Sequence, residues 1–444
     1  MNSVTVVIPV YRDWATLSGC MESLKKYLNR KHKVILVNDK GPEWEKLEKN
    51  ILIAIQDDPR FFYKRNASNE GFVRTCNKAV LEWDKSDNDV LLLNSDTEVT
   101  EGFLEEMQRI LHMDRKTAVV CPRSNNATFL SVPVNSNGRY VSAEDSYRIY
   151  GRIKEFLPEK EECWTGVGFA FLIKRHVIHE IGLFDESFGK GYNEENDFCM
   201  RARKQNYQVM KANYAYVFHW GRISFQSEAD ELELRNSSLL LKRYPCYWDK
   251  VEEYRKKIDV IDYFADILTG VIYDHKRILI AFPKEMTKQS LLEKIHQCQT
   301  SKELNQCDYV IVTNENNEKK IRKHVAGGRV YSIKRLDGTF HMAYSLSEPD
   351  EEWKVFLDRH SLFTLIVDDF SRLNIEEEIK RRGKLNDLNV DSLRKRWEKL
   401  LPDAKDSQKI RGRKKLIKKI KTYLYMHHIW IYVLWHRIRS KYGR

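Results

Sequence analysis

The sequence predicts an α/β protein: a mostly parallel mixed sheet flanked by helices, then a smaller α/β domain, then a basic helical C-terminal tail. Three observations lead there. Apolar β-branched runs alternate with helically spaced segments over the first half of the chain. The same alternation restarts near Ile278. The positive charge collects at the end of the chain.

In order, Val4–Val10 is a β-branched run and Trp14–Leu28 has helical spacing. Val34–Val37 and Val90–Leu93 are the next strands, the latter followed by the turn Asn94-Ser95-Asp96. Thr117–Cys121 is a further short strand. In sheets of this type ligands bind beyond the carboxyl ends of the strands. Chemistry is therefore sought just after each apolar run. Residues 226–265 are charged and helix-like, a connection between units. Ile278–Phe282, Tyr309–Thr313, Val330–Ile333 and Phe363–Val367 then read as strands, with helices at Lys288–Gln299 and Glu315–His324. No Gly-rich phosphate loop accompanies them, and Gly327-Gly328 reads as a turn. The expected organisation is a catalytic unit at 1–225, connecting helices at 226–270, a smaller α/β domain at 271–400 and a tail at 405–444.

At 444 residues the chain is too long for one ordinary domain. Hydrophobic residues make up 42% and charged residues 32%, which fits a globular protein and excludes a disordered one. The net charge of +12 is matched by the twelve Lys and Arg of residues 409–444, a stretch with no acid, so the rest is formally neutral. A nucleic-acid enzyme would carry its positive charge on the folded body, so no nucleic-acid partner is expected. The eight cysteines are scattered without a CxxC pair, which reads as reduced thiols and not a disulfide frame or zinc site. No secretory leader is visible, and no run approaches about 18 apolar residues.

Three segments could carry chemistry. Asp96, at the end of a buried strand, could present a carboxylate to Mg²⁺ or Mn²⁺, hard ions that prefer oxygen. Alone, the Asn-Ser-Asp turn reads first as an Asx-capped turn. Glu194, Glu195 and Asp197 crowd three carboxylates into four residues, and like charges raise one another's pKa, as a general base requires. Alone, they read equally well as an acidic first helical turn. His219 closes an apolar run at Tyr214–Phe218, a setting in which a single histidine is ordinarily structural.

Their company changes the weighing. Val7-Ile8-Pro9-Val10-Tyr11, Val37-Asn38-Asp39, Asn69-Glu70-Gly71-Phe72 with Asn77, and Asn94-Ser95-Asp96 come first. Thr165-Gly166 before Phe169–Ile173, Gly182-Leu183-Phe184-Asp185, Glu194-Glu195-Asn196-Asp197, and His219 with Ser224 follow. In this order, over roughly residues 3–225, the chain resembles the family 2 glycosyltransferases, which have the GT-A fold. The resemblance implies that Pro9, Tyr11 and Asp39 surround the base and ribose of a nucleotide-sugar, with Asp39 contacting uracil. It implies that Asn69, Gly71 and Asn77 lie near the nucleotide, and that Gly166 faces the acceptor or sugar. Asp96 matches the last acid of the family's DxD-type motif and would bind Mn²⁺ or Mg²⁺. Asn94 replaces the first acid of that motif, leaving one carboxylate, and Ser95 lies between. His219 matches a late ligand for metal or phosphate. Glu195 falls on the second position of the family's Glu-Asp pair, where the general base sits, with Glu194 and Asp197 as neighbours that could share the role.

The function implied is inverting transfer of a sugar from a nucleotide-sugar, by default a UDP-sugar, to a glycan acceptor hydroxyl. That acceptor would be lipid-linked, polysaccharide or protein-attached, in cell-surface glycan synthesis. The alternative is a non-catalytic partner of another glycosyltransferase, against which Asp39, Asp96 and Glu195 argue. A nucleotidyltransferase would want a Gly-rich basic loop after the first strand, and Val10-Tyr11-Arg12-Asp13-Trp14 supplies none. The aromatic run Tyr423–Trp435 spans 13 residues, about 20 Å as a helix, too short for a hydrocarbon core of about 30 Å. Flanked by Lys and Arg, it suits the surface of an anionic membrane. The expected place is therefore the cytoplasm, at the inner face of the plasma membrane. The smaller domain is assigned acceptor docking or homo-oligomer formation.

Overall fold

The computed structural model describes residues 2–132, 143–154, 157–221, 228–255, 276–321, 330–333, 340–370 and 373–382, with 336 and 395 singly. Ser224, Gly327-Gly328, the stretch 256–275 and the whole tail at 405–444 lie outside the described residues.

The first sheet contains β1 (Val4–Val10), β2 (Lys33–Asn38), β3 (Phe61–Arg65), β4 (Asp89–Leu93), β5 (Thr97–Val99), β6 (Thr117–Arg123), β7 (Lys160–Cys163), β8 (Ala170–Ile173) and β9 (Gln208–His219). Its order is β3-β2-β1-β4-β8-β6-β9-β5, with β7 also on β9. β3, β2, β1 and β4 run parallel, as the alternation predicts. β8 is antiparallel to both β4 and β6, and β9 is parallel to β6. β4 and β6 are buried at every position, which explains why they read as continuous apolar runs and not as alternating ones.

The helices of this unit are α1 (Trp14–Tyr27), α2 (Trp44–Ile55), α3 (Phe72–Asn77), α4 (Phe103–Met113), α5 (Ala143–Ile153), α6 (Arg175–Ile181), α7 (Glu194–Lys204), α8 (Glu228–Arg243) and α9 (Tyr247–Arg255). α1 shows why they form. Asp13 caps it by accepting from the Ala15 N–H, and Lys25 and Lys26 sit in its last turn, favourable to the macrodipole. It buries Leu17, Cys20, Met21 and Leu24, one stripe at helical spacing. Each of the large apolar side chains gains about 1.5–3 kcal/mol from burial.

A second sheet of five strands shares none with the first. It contains β10 (Arg277–Phe282), β11 (Asp308–Thr313), β12 (Val330–Ser332), β13 (Met342–Ser345) and β14 (Thr364–Ile366), in the order β12-β11-β10-β13-β14. All its pairings are parallel. The helices around it are α10 (Lys288–Thr300), α11 (Lys302–Asn305), α12 (Glu315–Ile321), α13 (Glu351–His360) and α14 (Ile375–Arg382). β10 divides its side chains by the period of two. Ile278, Ile280 and Phe282 pack with Leu291 and Ile295 of α10 on one face. Leu279 and Ala281 pack with Trp353, Phe356 and Leu357 of α13 on the other. Among the described residues no helix is long and apolar enough to cross a membrane.

Candidate active site

The strand directions gather the candidate residues. β1, β2 and β4 point the same way. Two reversals, β4 to β8 and β8 to β6, turn β6 and its partner β9 back into that direction. The carboxyl ends of β1, β2, β4 and β9 therefore lie at one edge of the sheet, with the start of β8. Pro9 and Tyr11, Asp39, Asn94-Ser95-Asp96, His219 and the residues before Ala170 all fall there.

At the end of β2, Asp39 is 4% exposed and its carboxylate accepts three hydrogen bonds from the chain. Asn66 Nδ2 donates to Oδ1 at 2.7 Å, the Glu70 N–H to Oδ1 at 2.8 Å, and the Gly71 N–H to Oδ2 at 2.8 Å. Asn69 Nδ2 donates to the Asp39 carbonyl at 3.3 Å. Asp39 thus shapes the 66–71 loop. Asn66 Oδ1 and Asn69 Oδ1 are both buried without a partner, so this loop leaves two acceptors open, and of the two side chains that of Asn69 is the more exposed. Gly71 has φ 83°, and a Cβ there would lie 2.7 Å from the Lys190 Cα, so glycine is required on both counts. Asn77 donates to the Phe184 carbonyl at 2.9 Å and accepts from its N–H at 3.1 Å. It is a clamp between α3 and residue 184, with both ends of its amide taken. Near the end of β1, the Tyr11 carbonyl is approached so closely that a Cβ on Gly41 would lie 1.8 Å from it.

After β4, the turn closes when Thr97 Oγ1 donates to the Asn94 carbonyl at 2.8 Å, and the Asn94 N–H donates to the Phe169 carbonyl at 2.9 Å. Ser95 is half-buried within the turn. Asp96 Oδ2 accepts from the Gly221 N–H at 3.2 Å, and Oδ1 lies 3.5 Å from His219 Nε2. Nδ1 of His219 is 2.7 Å from the Asn126 carbonyl. A carbonyl only accepts, so Nδ1 carries a proton and Nε2 is the nitrogen turned to Asp96. Asn125 holds the backbone of His219 from both sides, and the Phe169 ring stacks on its imidazole at 5.2 Å. Burial raises the Asp96 carboxyl, but the hydrogen bond and charge of His219 and the backbone donors outweigh it and bring it below its usual range. Burial lowers the His219 imidazole, and Asp96 more than restores it.

The third group sits on α7. Its acidic first turn and its basic last turn, Arg201, Arg203 and Lys204, oppose the macrodipole as the sequence indicates. The three carboxylates nevertheless part company. Glu195 is half-buried, and a Cβ on Gly168 would lie 3.8 Å from its Cγ. Burial pushes its carboxyl up, the α7 backbone donors pull it down, Glu233 adds a like charge, and the balance is about 7. Glu194 is 5% exposed and its Oε2 has no hydrogen-bond partner. Burial and the neighbouring Glu195 hold it well above the carboxylate range. Asp197 is fully buried and accepts from Arg201 Nε at 2.8 Å, Arg243 Nη1 at 2.8 Å and the Tyr244 hydroxyl at 3.2 Å. It was a candidate base by sequence. Its carboxylate is instead an anchor between α7 and α8. Asp197→Ala should destabilise the fold by about 3 kcal/mol, the low end for breaking a buried pair because both arginines are partly exposed. A urea midpoint unchanged from wild type would refute that role.

Gly166 also needs correction. It is buried, and a Cβ there would meet the Phe171 ring at 2.4 Å and the Cys121 Sγ at 3.0 Å, so it faces the core. Gly168 is the small residue beside the carboxylate. Consecutive residues therefore join two parts of the site, Gly168 facing Glu195 and Phe169 stacking on His219. The Phe72 N–H, donating to the Lys190 carbonyl at 3.2 Å, joins the Asp39 loop to the segment before α7. Sequence reading missed Asn125, Asn126, Gly168 and Phe169. The second glycine of Thr165-Gly166-Val167-Gly168 was the available signal; the asparagines offered none.

Residues 5–182 match the family model for glycosyl transferase family 2. Among curated proteins, the chain is similar to the low-salt glycan biosynthesis hexosyltransferase Agl10 of Haloferax volcanii, 30% identical over 134 residues. That match takes in 29% of this chain and 41% of the relative, so it spans well under half of that protein's length. Among solved structures, GalNAc-T7 with UDP, GalNAc and Mn²⁺ aligns at 16% identity and TM-score 0.43, over 61% of this chain and 51% of that one. The mannosyltransferase PcManGT of Pyrobaculum calidifontis with GDP-Man and Mn²⁺ aligns at 11% and 0.42, over 68% and 81%. S. aureus TarS 1–349 with UDP-GlcNAc aligns at 14% and 0.40, over 62% and 77%.

Proposed function

We propose, from the premise that residues 5–182 belong to glycosyl transferase family 2, that the protein moves a hexose from a nucleotide-sugar to a glycan hydroxyl with inversion. The observation that carries this reading is the division of labour among carboxylates at one sheet edge. Asp96 is held ionised beside His219, and Glu195 is held near 7 at the start of α7. Pairs whose surroundings drive their pKa values apart mark acid and base roles.

Glu195 takes the proton of the acceptor hydroxyl, and that oxygen attacks the anomeric carbon as the bond to the nucleoside diphosphate breaks. The departing diphosphate keeps the electron pair. A carboxylate titrating near 7 is a competent base at neutral pH because enough is ionised and its proton affinity is still substantial. Asp96 and His219 fit a Mn²⁺ or Mg²⁺ ion. Asp96 supplies a hard oxygen, and the carbonyl-anchored Nδ1 aims Nε2 at the same point. Such an ion, when bound, offsets charge on the diphosphate. Among the described residues no cluster of three or more His, Cys, Asp or Glu surrounds that point, so the remaining positions fall to phosphate oxygens and water. Asn69 Oδ1 would accept from the base or ribose. A UDP-sugar is the default donor.

The test is transfer by purified protein from a panel of UDP-, GDP- and dTDP-sugars with Mn²⁺ or Mg²⁺. One donor turned over with product of inverted anomeric configuration is the expected result. Binding without turnover on any acceptor would instead favour a non-catalytic partner, and no binding at all would remove the reading. The basic aromatic stretch at 409–444 completes the proposal: it brings the enzyme to an anionic membrane surface, where a lipid-linked acceptor would lie. The full chain should co-sediment with vesicles containing phosphatidylserine and leave them at high salt. Equal binding to neutral vesicles would count against it.

A further inference from the structure

The segment that leads into the catalytic turn is unusual in its backbone. Of residues 189–193, four have positive φ: Gly189 at 63°, Gly191 at 131°, Tyr192 at 71° and Asn193 at 71°. Two of these are not glycine, and for Tyr192 the left-handed region carries a steric penalty. Such a conformation persists only when surrounding structure determines it.

That structure is α8, beyond the residues matched by the family model. Asn236 is fully buried on α8 and donates one amide hydrogen to the Phe188 carbonyl at 2.7 Å and the other to the Gly191 carbonyl. Its Oδ1 is buried without a partner. A buried orphan acceptor is costly. The side chain is therefore held there for its two N–H groups, which a leucine of similar size could not supply. The next residue, Ser237, accepts from Asn193 Nδ2 at 3.1 Å. Asn193 stands at the N-cap position of α7 and in turn accepts from Asn196 Nδ2 at 3.0 Å. On the same helix, Arg235 donates to the Ser187 carbonyl, and Arg243, about two turns further on, pairs with both Asp185 and Asp197 at 2.8 Å. The 185–197 stretch is thus held along its length from α8, with α3 bonded to it at Lys190 and Glu186, and Glu195 lies two residues beyond the last strained one.

We propose that α8 is the positioning element for Glu195, acting chiefly through Asn236, whose paired N–H donors hold the 188–193 segment in its left-handed path. Resting on the glycosyltransferase reading, this makes Asn236 a positioning residue and not a catalytic one. Without it, the segment relaxes toward ordinary backbone angles and Glu195 moves off the line of proton transfer. The donor and metal groups on β2, β4 and β9 are untouched.

The experiment uses the full chain with Asn236→Asp, which keeps the shape and removes the amide donors, and Ser237→Ala, which removes one half-buried oxygen and leaves the core intact. Two quantities are read: amide hydrogen exchange across 188–193 in the free protein, and kcat and donor KM per folded enzyme. In Asn236→Asp, exchange across 188–193 should accelerate selectively. kcat should fall by about 10–100-fold, in line with ångström-scale misplacement of a reacting group, with donor KM nearly unchanged. Ser237→Ala should shift both readouts in the same sense by less. Unchanged exchange in both variants would overturn the proposal. So would faster exchange with unchanged kcat, or kcat and donor KM deteriorating together. If the wild type transfers no sugar from any donor, the glycosyltransferase reading is what fails, and the exchange data alone then decide whether Asn236 holds the segment.

Discussion

Glu195→Gln is expected to fold as the wild type does and to lose about 10²–10⁴-fold in kcat, the range over which general bases contribute. The amide keeps the size of the side chain and its place beside Gly168 but cannot take a proton. The pH profile supplies an independent check. The carboxyl is raised to about 7, chiefly by burial, so the active ionised form is lost as pH falls through that value. kcat/KM of the wild type should therefore rise with pH to a plateau above about 7, and the residual rate of Glu195→Gln should lack that limb. The folding linkage runs the other way. A raised carboxyl favours the protonated fold, so its contribution to stability is largest below the unfolded value and declines toward 7. Activity and stability should thus move oppositely across this window. A variant retaining the wild-type rate, or a wild-type profile flat from pH 5 to 8, would rule Glu195 out as the base.

Asp96→Asn should be nearly as damaging. The substitution preserves an acceptor for the Gly221 N–H and so keeps the 219–221 turn, while removing the charge that pairs with His219. On the proposed reading the same charge secures the divalent ion, whose help to the leaving group is worth several kcal/mol, a loss of about 10²–10³-fold in rate. Calorimetry of nucleoside diphosphate binding with and without Mn²⁺ isolates this from structural damage. The wild type should show metal-dependent affinity, and Asp96→Asn should bind equally weakly in both conditions. Metal-dependent binding that survives the substitution would move the ion elsewhere.

The sequence made the parallel half of the first sheet legible, because strands buried on both faces, such as Val90–Leu93, read as unbroken apolar runs. β3, with only Phe61 buried, and the three-residue β5 left no such signature. β13 escaped in the second unit because Met342–Ser345 is four residues long and carries no β-branched run. For the site, position along the chain marked Asp96, Glu195 and His219. It did not tell engaged side chains from open ones. Asp39, Asn77 and Asp197 are the residue types a ligand would want, yet hydrogen bonds within the chain engage their polar atoms. Arg201 on Asp197 is a local pair four residues apart, but Asn66 on Asp39, Arg243 on Asp197 and Phe184 on Asn77 connect residues 27, 46 and 107 positions apart, a relation no local pattern encodes.

The network around Asp197 and Asn236 bears on where this chain can be recombined with a relative. A chimera joined between α7 and α8 would set the acids of one parent against the α8 of another, leaving Asp197 without Arg243 and the 188–191 carbonyls without Asn236. The 185–197 segment and α8 should therefore come from the same parent, with any junction placed before Leu183 or after Arg243.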